Sequence, residues 1–396
     1  MRSYAIAWLI VVVCVPAALY GVCVRLFDNT NEFATIDEHV AATRDGPVLY
    51  NALRFPLWTY KAAVYRAVRP ETTVVGTSRS MQVRDYFFKE TTFYSLSGLV
   101  GGPRELEQVR RLLFTEHAPK HLIVVIDFWT FCDRDHVDLA DYDDARPALG
   151  PFWPIQLFWE GHYQLKDGVS AVLGRTSTRV GSVRKLGLTA TFNDVGFGND
   201  GSYYYFSRIA QRGRQPIDAR WADVRQRIAH DADHFQRGCR LREDTLAELK
   251  ADVERLAAMG ISVVAVLAPL PSNTLQWMRE AGDYGYIDEL RRRLPALFPA
   301  PAEYYDRFVA EQFGSPPCEF LDGHHGGEVA YARMLLDIVR TNPSSTLASI
   351  LDTDAVARLV STHAGKMNVA ANPIGDAFRA AMNLEAAECP FVAGAR

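Results

Sequence analysis

The hydrophobic pattern changes character along the chain. From Ala5 to Val24 no residue is charged (AIAWLIVVVCVPAALYGVCV), and about 20 such residues suffice for a helix to cross a bilayer. The run exceeds the roughly 7–15 residues of a signal-peptide core and lacks a clear Ala-x-Ala cleavage site. It predicts a single-pass anchor over residues 1–27. Farther on, short apolar runs alternate with amphipathic stretches. Thr72–Gly76, Phe93–Leu96, His121–Phe128 (HLIVVIDF) and Gly260–Leu267 read as strands, the near-continuous runs being typical of burial on both faces. Pro103–His117 sets Leu106, Val109, Leu112 and Leu113 on one helical face behind a proline in the first turn. Arg242–Met259 is a second long helix, ended by Gly260 as a C-terminal cap. Strands alternating with helices predict an α/β fold with a doubly wound parallel sheet, whose ligand crevice lies at the carboxyl ends of its strands. Ser78, Asp127 and the loop after Leu267 fall on that edge.

The rhythm stops between Cys132 and the neighbourhood of Cys239. This stretch is rich in Trp, Tyr, Phe and Gly and contains the turn Asn199-Asp200-Gly201 beside Tyr203-Tyr204-Tyr205-Phe206. It is too long for a structureless loop and predicts an inserted cap or substrate subdomain, residues 133–240. Its aromatic residues, Trp153, Trp159 and the tyrosines among them, suit either stacking on sugar rings or the small core the insertion needs. The core is the simpler expectation. Residues 28–71 read as a linker and helical stem, 72–340 as the α/β domain, and 341–396 as a Ser/Ala-rich tail with one helix at Asp354–Ala364. The whole is expected to be a flavodoxin-like sheet of roughly five strands.

Charge places the body. Arg2 precedes the apolar run, whereas Asp28, Glu32, Asp37 and Glu38 follow it beyond the single Arg25. The positive-inside rule then puts the N-terminus in the cytoplasm and the body outside, in the periplasm or beyond. The net charge of −4 offers no basic footprint, which argues against nucleic-acid binding. Of six cysteines, Cys14 and Cys23 lie in the anchor as small apolar side chains. Cys132, Cys239, Cys318 and Cys389 are widely spaced with no Cys-x-x-Cys, so no zinc site is indicated. In an oxidising periplasm they admit three pairings, one of which, Cys132 with Cys239, brackets the insertion. His230 with His234 and His117 with His121 share an i, i+4 spacing but lack a third ligand. The acidic run from Asp133 to Asp144 lacks the glycine and terminal glutamate of a calcium loop. Neither a metal nor another cofactor is expected.

Two short segments carry the candidate chemistry. Val74-Val75-Gly76-Thr77-Ser78-Arg79-Ser80 is a β-branched run ending in a small-residue turn, which lifts a serine hydroxyl to the sheet edge. Leu321-Asp322-Gly323-His324-His325 supplies a base and a carboxylate to orient it. A spacing of three lets one tight turn present Asp322 and His325 together, with histidine as proton acceptor and aspartate fixing its tautomer. Ser80 competes with Ser78, and His324 with His325. Arg79 is placed either to bind an anionic substrate or to pair with a nearby acid.

With these segments the chain resembles the SGNH (GDSL-like) hydrolase superfamily from Thr72 to Val339. More narrowly it resembles the membrane-anchored extracytoplasmic branch that includes alginate O-acetylation proteins and the D-alanyl-transfer protein of teichoic acid systems. The first family block, usually Gly-Asp-Ser, here reads Gly76-Thr77-Ser78. The second, which donates a backbone N–H to an oxyanion, corresponds to Ser97-Gly98-Leu99-Val100-Gly101-Gly102, with Gly98 the expected donor. The third, normally Gly-x-Asn-Asp, corresponds to Ile126-Asp127-Phe128-Trp129, where an ionised Asp127 would repel the oxyanion. The fourth is Asp322 and His325.

The resemblance implies a serine esterase or O-acyltransferase acting on acyl groups of a cell-envelope glycan or related polymer. Ser78 is the expected nucleophile, His325 the base and Asp322 its orienter, with Gly98, Arg79 and Asp127 around the oxyanion or substrate. Its expected partners are an acylated glycan or acyl donor, the membrane, and a membrane acyl-transfer or polymer-export protein. Thr77 in place of aspartate and Asp127 in place of asparagine favour the alternative, an inactive scaffold that binds glycan or a membrane partner. A nucleotide site is disfavoured, because no Gly-rich phosphate loop follows a strand.

Overall fold

The computed structural model describes residues 2–134, 150, 152–212 and 215–382. Ten strands occur among them: β1 (Val48–Tyr50), β2 (Thr72–Val75), β3 (Phe93–Ser95), β4 (His121–Ile126), β5 (Arg179–Val180), β6 (Val183–Leu186), β7 (Gly196–Phe197), β8 (Tyr203–Tyr204), β9 (Ser262–Leu267) and β10 (Glu303–Asp306). Five of them form a parallel sheet in the order β3-β2-β4-β9-β10. The two central pairings are in register from Thr72 opposite His121 to Val75 opposite Val124, and from His121 opposite Ser262 to Ile126 opposite Leu267. All five carboxyl ends therefore share one edge.

The period of two along these strands feeds two cores. Val75, Val124, Ile126, Ala265 and Leu267 pack with Leu106 and Val109 of helix Pro103–Val109 and with Leu246, Leu249 and Val253 of helix Glu243–Ala258. Val74, Ile123, Val125, Val264 and Val266 pack with Ala330, Met334, Leu335 and Ile338 of helix Glu328–Thr341. Burial on both faces explains why the central strands β4 and β9 are apolar at every position after His121 and Ser262. The helix expected to reach His117 is α-helical only to Val109 and continues as a π-turn over Arg110–Phe114. Gly260 does end its helix, with φ +77°.

The other five strands form a small mixed sheet in the order β5-β6-β1-β7-β8. Its middle strand comes from residues 28–71, so that segment is more than a stem: β1 is completely buried and pairs with β6 and β7 of the insertion. Two polar residues fasten it. The Asn199 amide accepts the Val48 N–H and donates to the Thr43 and Gly46 carbonyls. The buried Glu32 carboxylate accepts the N–H groups of Leu53, Arg54 and Leu188. The expected tail helix spans Thr353–Thr362 and belongs to the second core. A further helix, Pro373–Met382, stacks Phe378 on Phe206 at 4.2 Å. The C-terminal segment is thus part of the folded body. Most insertion aromatics do serve as core: Trp153, Tyr204 and Tyr205 are buried, whereas Trp159 is 74% exposed.

At the front, one helix runs from Arg2 to Asn29, and its Val12–Asn29 portion is long and apolar enough to cross a membrane. Helices Trp153–Trp159 and Leu165–Val172 of the insertion pack against its second half. Phe27 meets Trp153 and Tyr163 edge to face, and Asn29 donates to the Ala171 carbonyl. Gly168 is needed at this crossing, because a Cβ there would lie 2.5 Å from Val22 Cγ1. A disulfide joins Cys132 to Cys239 and closes the base of the insertion.

Candidate active site

Ser78 owes its position to what surrounds Gly76. At the end of β2 the chain turns at Gly76, with φ +150°, where a Cβ would come within 2.8 Å of both Val125 O and Ser80 Oγ. Thr77 then caps a single 3-10 turn over Ser78–Ser80, its hydroxyl accepting the Arg79 N–H. Ser80 is fully buried and donates to the Thr77 carbonyl. Ser78 is the serine that stays partly exposed.

The second segment arrives from the loop before helix Glu328–Thr341. The Leu321 N–H donates to the His325 carbonyl and closes a tight turn. Gly323 sits in it at φ +91°, against the Trp221 ring, while Thr274 donates to the Gly323 carbonyl. Positive φ with an indole alongside leaves little alternative to glycine. Asp322 Oδ1 accepts the His325 N–H at 2.9 Å, and Oδ2 lies 2.7 Å from His325 Nδ1. His325 Nε2 lies 2.8 Å from Ser78 Oγ. With Asp322 ionised, Nδ1 carries the proton and Nε2 is free to accept one from the serine, as a Ser-His-Asp relay requires. Burial alone would raise the Asp322 pKa, but the His325 and His324 rings and the His325 N–H hold it well below the usual carboxylate range.

His324, the competing base, faces the interior. It is buried against the edges of Trp129 and Phe235. Burial first, and then the neighbouring His325, push its pKa well below the ordinary imidazole value. Asp322, His324 and His325 hold ligand atoms within 4.8 Å of one another, as a metal site would. Both His325 nitrogens are already engaged, by Ser78 and by Asp322, an arrangement suited to proton transfer. The other such cluster among the described residues is Cys132, Asp133 and Cys239, whose two sulfurs are joined to each other. His117 bonds to Pro70 O while His121 opens β4, so they share no helix face. His230 lies at a helix end and His234 stacks on Trp129. The acidic residues Asp135–Asp144 lie outside the described residues.

Three expected oxyanion or substrate groups are committed elsewhere. The Gly98 N–H donates to the Gly76 and Thr77 carbonyls, at 2.8 and 3.2 Å. Gly98 instead shapes its loop: its φ is +87°, and a Cβ would lie 2.4 Å from Met81 Cε. Arg79 is 1% exposed and donates to Asp127 Oδ1 at 2.7 Å and to the His324 and Pro269 carbonyls. Asp127 spends its other oxygen on the Thr77 hydroxyl, 2.5 Å away. The ion pair therefore braces the loops after β2, β4 and β9 beneath the Ser78 turn, and neither charge reaches the substrate side. Asp127 does not repel an oxyanion, because Arg79 neutralises it. The Ser78 N–H is the remaining donor of the first block, since the opening amide of a helical turn has no partner within it.

Removing either charge would bury the other uncompensated, which costs about 3–5 kcal/mol. Arg79→Ala and Asp127→Ala are each expected to show a loss of that size in urea unfolding, with the reactivity of the Ser78 hydroxyl toward a fluorophosphonate falling in parallel. A variant that lost activity at unchanged stability would contradict the bracing role.

An open pocket adjoins the relay. Tyr205, Arg208, Ile209, Arg220 and Met367 line it together with Asp322 and His325. Arg220 is 7% exposed, and its Nε and Nη2 have no partner. Burial draws its pKa below the ordinary guanidinium value, and Asp322 partly opposes that. Nothing in the local sequence distinguishes Arg220: it is followed by Trp221 at the end of a short helix and belongs to no motif. Comparison with known proteins finds no matching family model, no matching curated protein and no matching solved structure, so the geometry of Ser78, His325 and Asp322 carries the functional reading.

Proposed function

We propose that this chain is a membrane-anchored, extracytoplasmic serine esterase or O-acyltransferase of the SGNH type, acting on acyl groups of a cell-envelope glycan or related polymer. The observation that carries the chemistry is the continuous hydrogen-bonded path from Ser78 Oγ through His325 to Asp322. Ser78 attacks the acyl carbonyl while His325 Nε2 takes its proton, and Asp322 holds the imidazolium that forms. The Ser78 N–H, the opening amide of its turn, is the donor assigned to the developing oxyanion. His325 then returns the proton to the departing alkoxide. In the second half it deprotonates either water or a sugar hydroxyl, which decides between hydrolysis and transfer.

The strand order β3-β2-β4-β9-β10, with helices on both faces, supports the doubly wound, flavodoxin-like reading. Ser78 follows the first strand of that sheet, where strand order reverses and ligands collect. The Cys132–Cys239 disulfide supports an oxidising compartment. Placement at a membrane rests on the N-terminal helix and on exposed apolar residues on or next to the two short helices that pack against it, Phe152, Trp159, Leu165, Val169, Val172 and Leu173. Transfer is favoured over hydrolysis by analogy with the anchored relatives that the sequence resembles.

Fluorophosphonate labelling of the full-length protein in detergent tests the reading. Labelling is expected in wild type and in Ser80→Ala, and absent in Ser78→Ala. A folded wild type that takes no label would favour the inactive scaffold.

A further inference from the structure

We infer that the pocket beside the relay is an anion subsite, in which Arg220, aided by Arg208, holds a carboxylate or phosphate carried by the same molecule as the acyl ester. This rests on the serine-esterase reading of Ser78.

The Arg220 guanidinium lies 5.9 Å from the Trp221 ring centroid, but a ring face satisfies no N–H, and buried donors without acceptors are costly to keep; its Nε and Nη2 groups have none, and it lines the cavity that His325 also lines. The carboxylate in that lining is Asp322, whose oxygens are taken by His325. Among the described residues neither Arg220 nor Arg208 has a salt-bridge partner. Arg208 stands at the exposed side of the pocket above the Tyr205 ring, 5.7 Å from its centroid. Ile209 and Met367 complete an apolar wall. A planar fork of N–H donors within apolar walls matches the two oxygens of a carboxylate or phosphate. The role first open to Arg79, binding an anionic substrate, thus falls to Arg220, because Arg79 is spent on Asp127.

Arg220 also feels the Asp322 charge, so a purely positioning role must be separable in the test. Three aryl acetates serve, differing only in the group opposite the ester: 4-acetoxybenzoate, 4-acetoxyphenyl phosphate and the neutral methyl 4-acetoxybenzoate. Wild type is expected to favour an anionic ester over the neutral one, and the better of the two names the oxyanion. Arg220→Gln is expected to raise KM for that anionic ester by about 10- to 100-fold, at least tenfold more than it changes the neutral ester. Arg208→Gln should act in the same direction with a smaller effect. Equal losses on all three esters, or no wild-type preference for an anion, would overturn the proposal and leave Arg220 a positioning residue for Asp322. If Ser78 proves unreactive, calorimetry on Ser78→Ala with 4-hydroxybenzoate, 4-hydroxyphenyl phosphate and methyl 4-hydroxybenzoate still decides. Tighter anion binding that Arg220→Gln abolishes supports the subsite, and equal binding of all three ligands removes it.

Discussion

Ser78→Ala and His325→Ala are each expected to lower kcat on an aryl acetate by about 10⁶-fold, with the double variant no slower than either single one. The equality is the informative part. A serine hydroxyl is a poor nucleophile until a base takes its proton, and a base 2.8 Å from Oγ has no target once that oxygen is gone. Each substitution therefore removes the same step. Stopped-flow release of the phenol measures both numbers. Additive losses would mean that the two side chains act in separate steps. Equal residual activity in wild type and variants would assign the 2.8 Å contact to structure alone.

Asp322→Asn is expected to cost about 10⁴-fold in kcat while leaving the fold intact. The asparagine oxygen can still accept the His325 N–H, the contact that shapes the turn at 2.9 Å. Its amide, however, donates where the carboxylate accepted, and faces His325 Nδ1 across what was a 2.7 Å bond. The imidazole then favours the tautomer with its proton on Nε2, pointing a donor at the serine. NMR of the imidazole nitrogens reads the exchange of tautomers directly, alongside the rate. Loss of activity with the proton still on Nδ1 would refute this account.

Much of the fold is legible in the residues themselves. HLIVVI and SVVAVL lie in the interior of a sheet covered on both faces, so every position after the opening His121 and Ser262 is buried and apolar, and the unbroken run itself identifies them. The β1 segment, by contrast, is three residues long and flanked by helices, and its partners Arg184, Lys185 and Leu186 lie far along the chain. No local pattern could show that Val48–Tyr50 belongs with the insertion. The same holds for Glu32, whose burial depends on amides from Leu53 and Leu188.

The candidate site divides in the same way. Asp322 and His325 fall on one turn three residues apart, and Ser78 follows a strand through a glycine turn, so residue order alone determines which side chains are presented. That they meet across 247 residues is decided by the parallel sheet, which brings every strand end and the loop before the last core helix to one edge. Arg79, Asp127 and Gly98 show the limit. Adjacent residues in a motif share an address but not a direction, and only the packed structure turns Arg79 inward onto Asp127, occupies the Gly98 N–H and leaves Arg220, unmarked in the sequence, facing the pocket. The sequence by itself determined four of the five strands of the parallel sheet, the membrane-length helix and the choice of Ser78, His325 and Asp322 as the side chains that meet. The tertiary structure decided which charges are spent in ion pairs and which keep N–H groups without acceptors, because burial and partnership are set by residues distant in the chain.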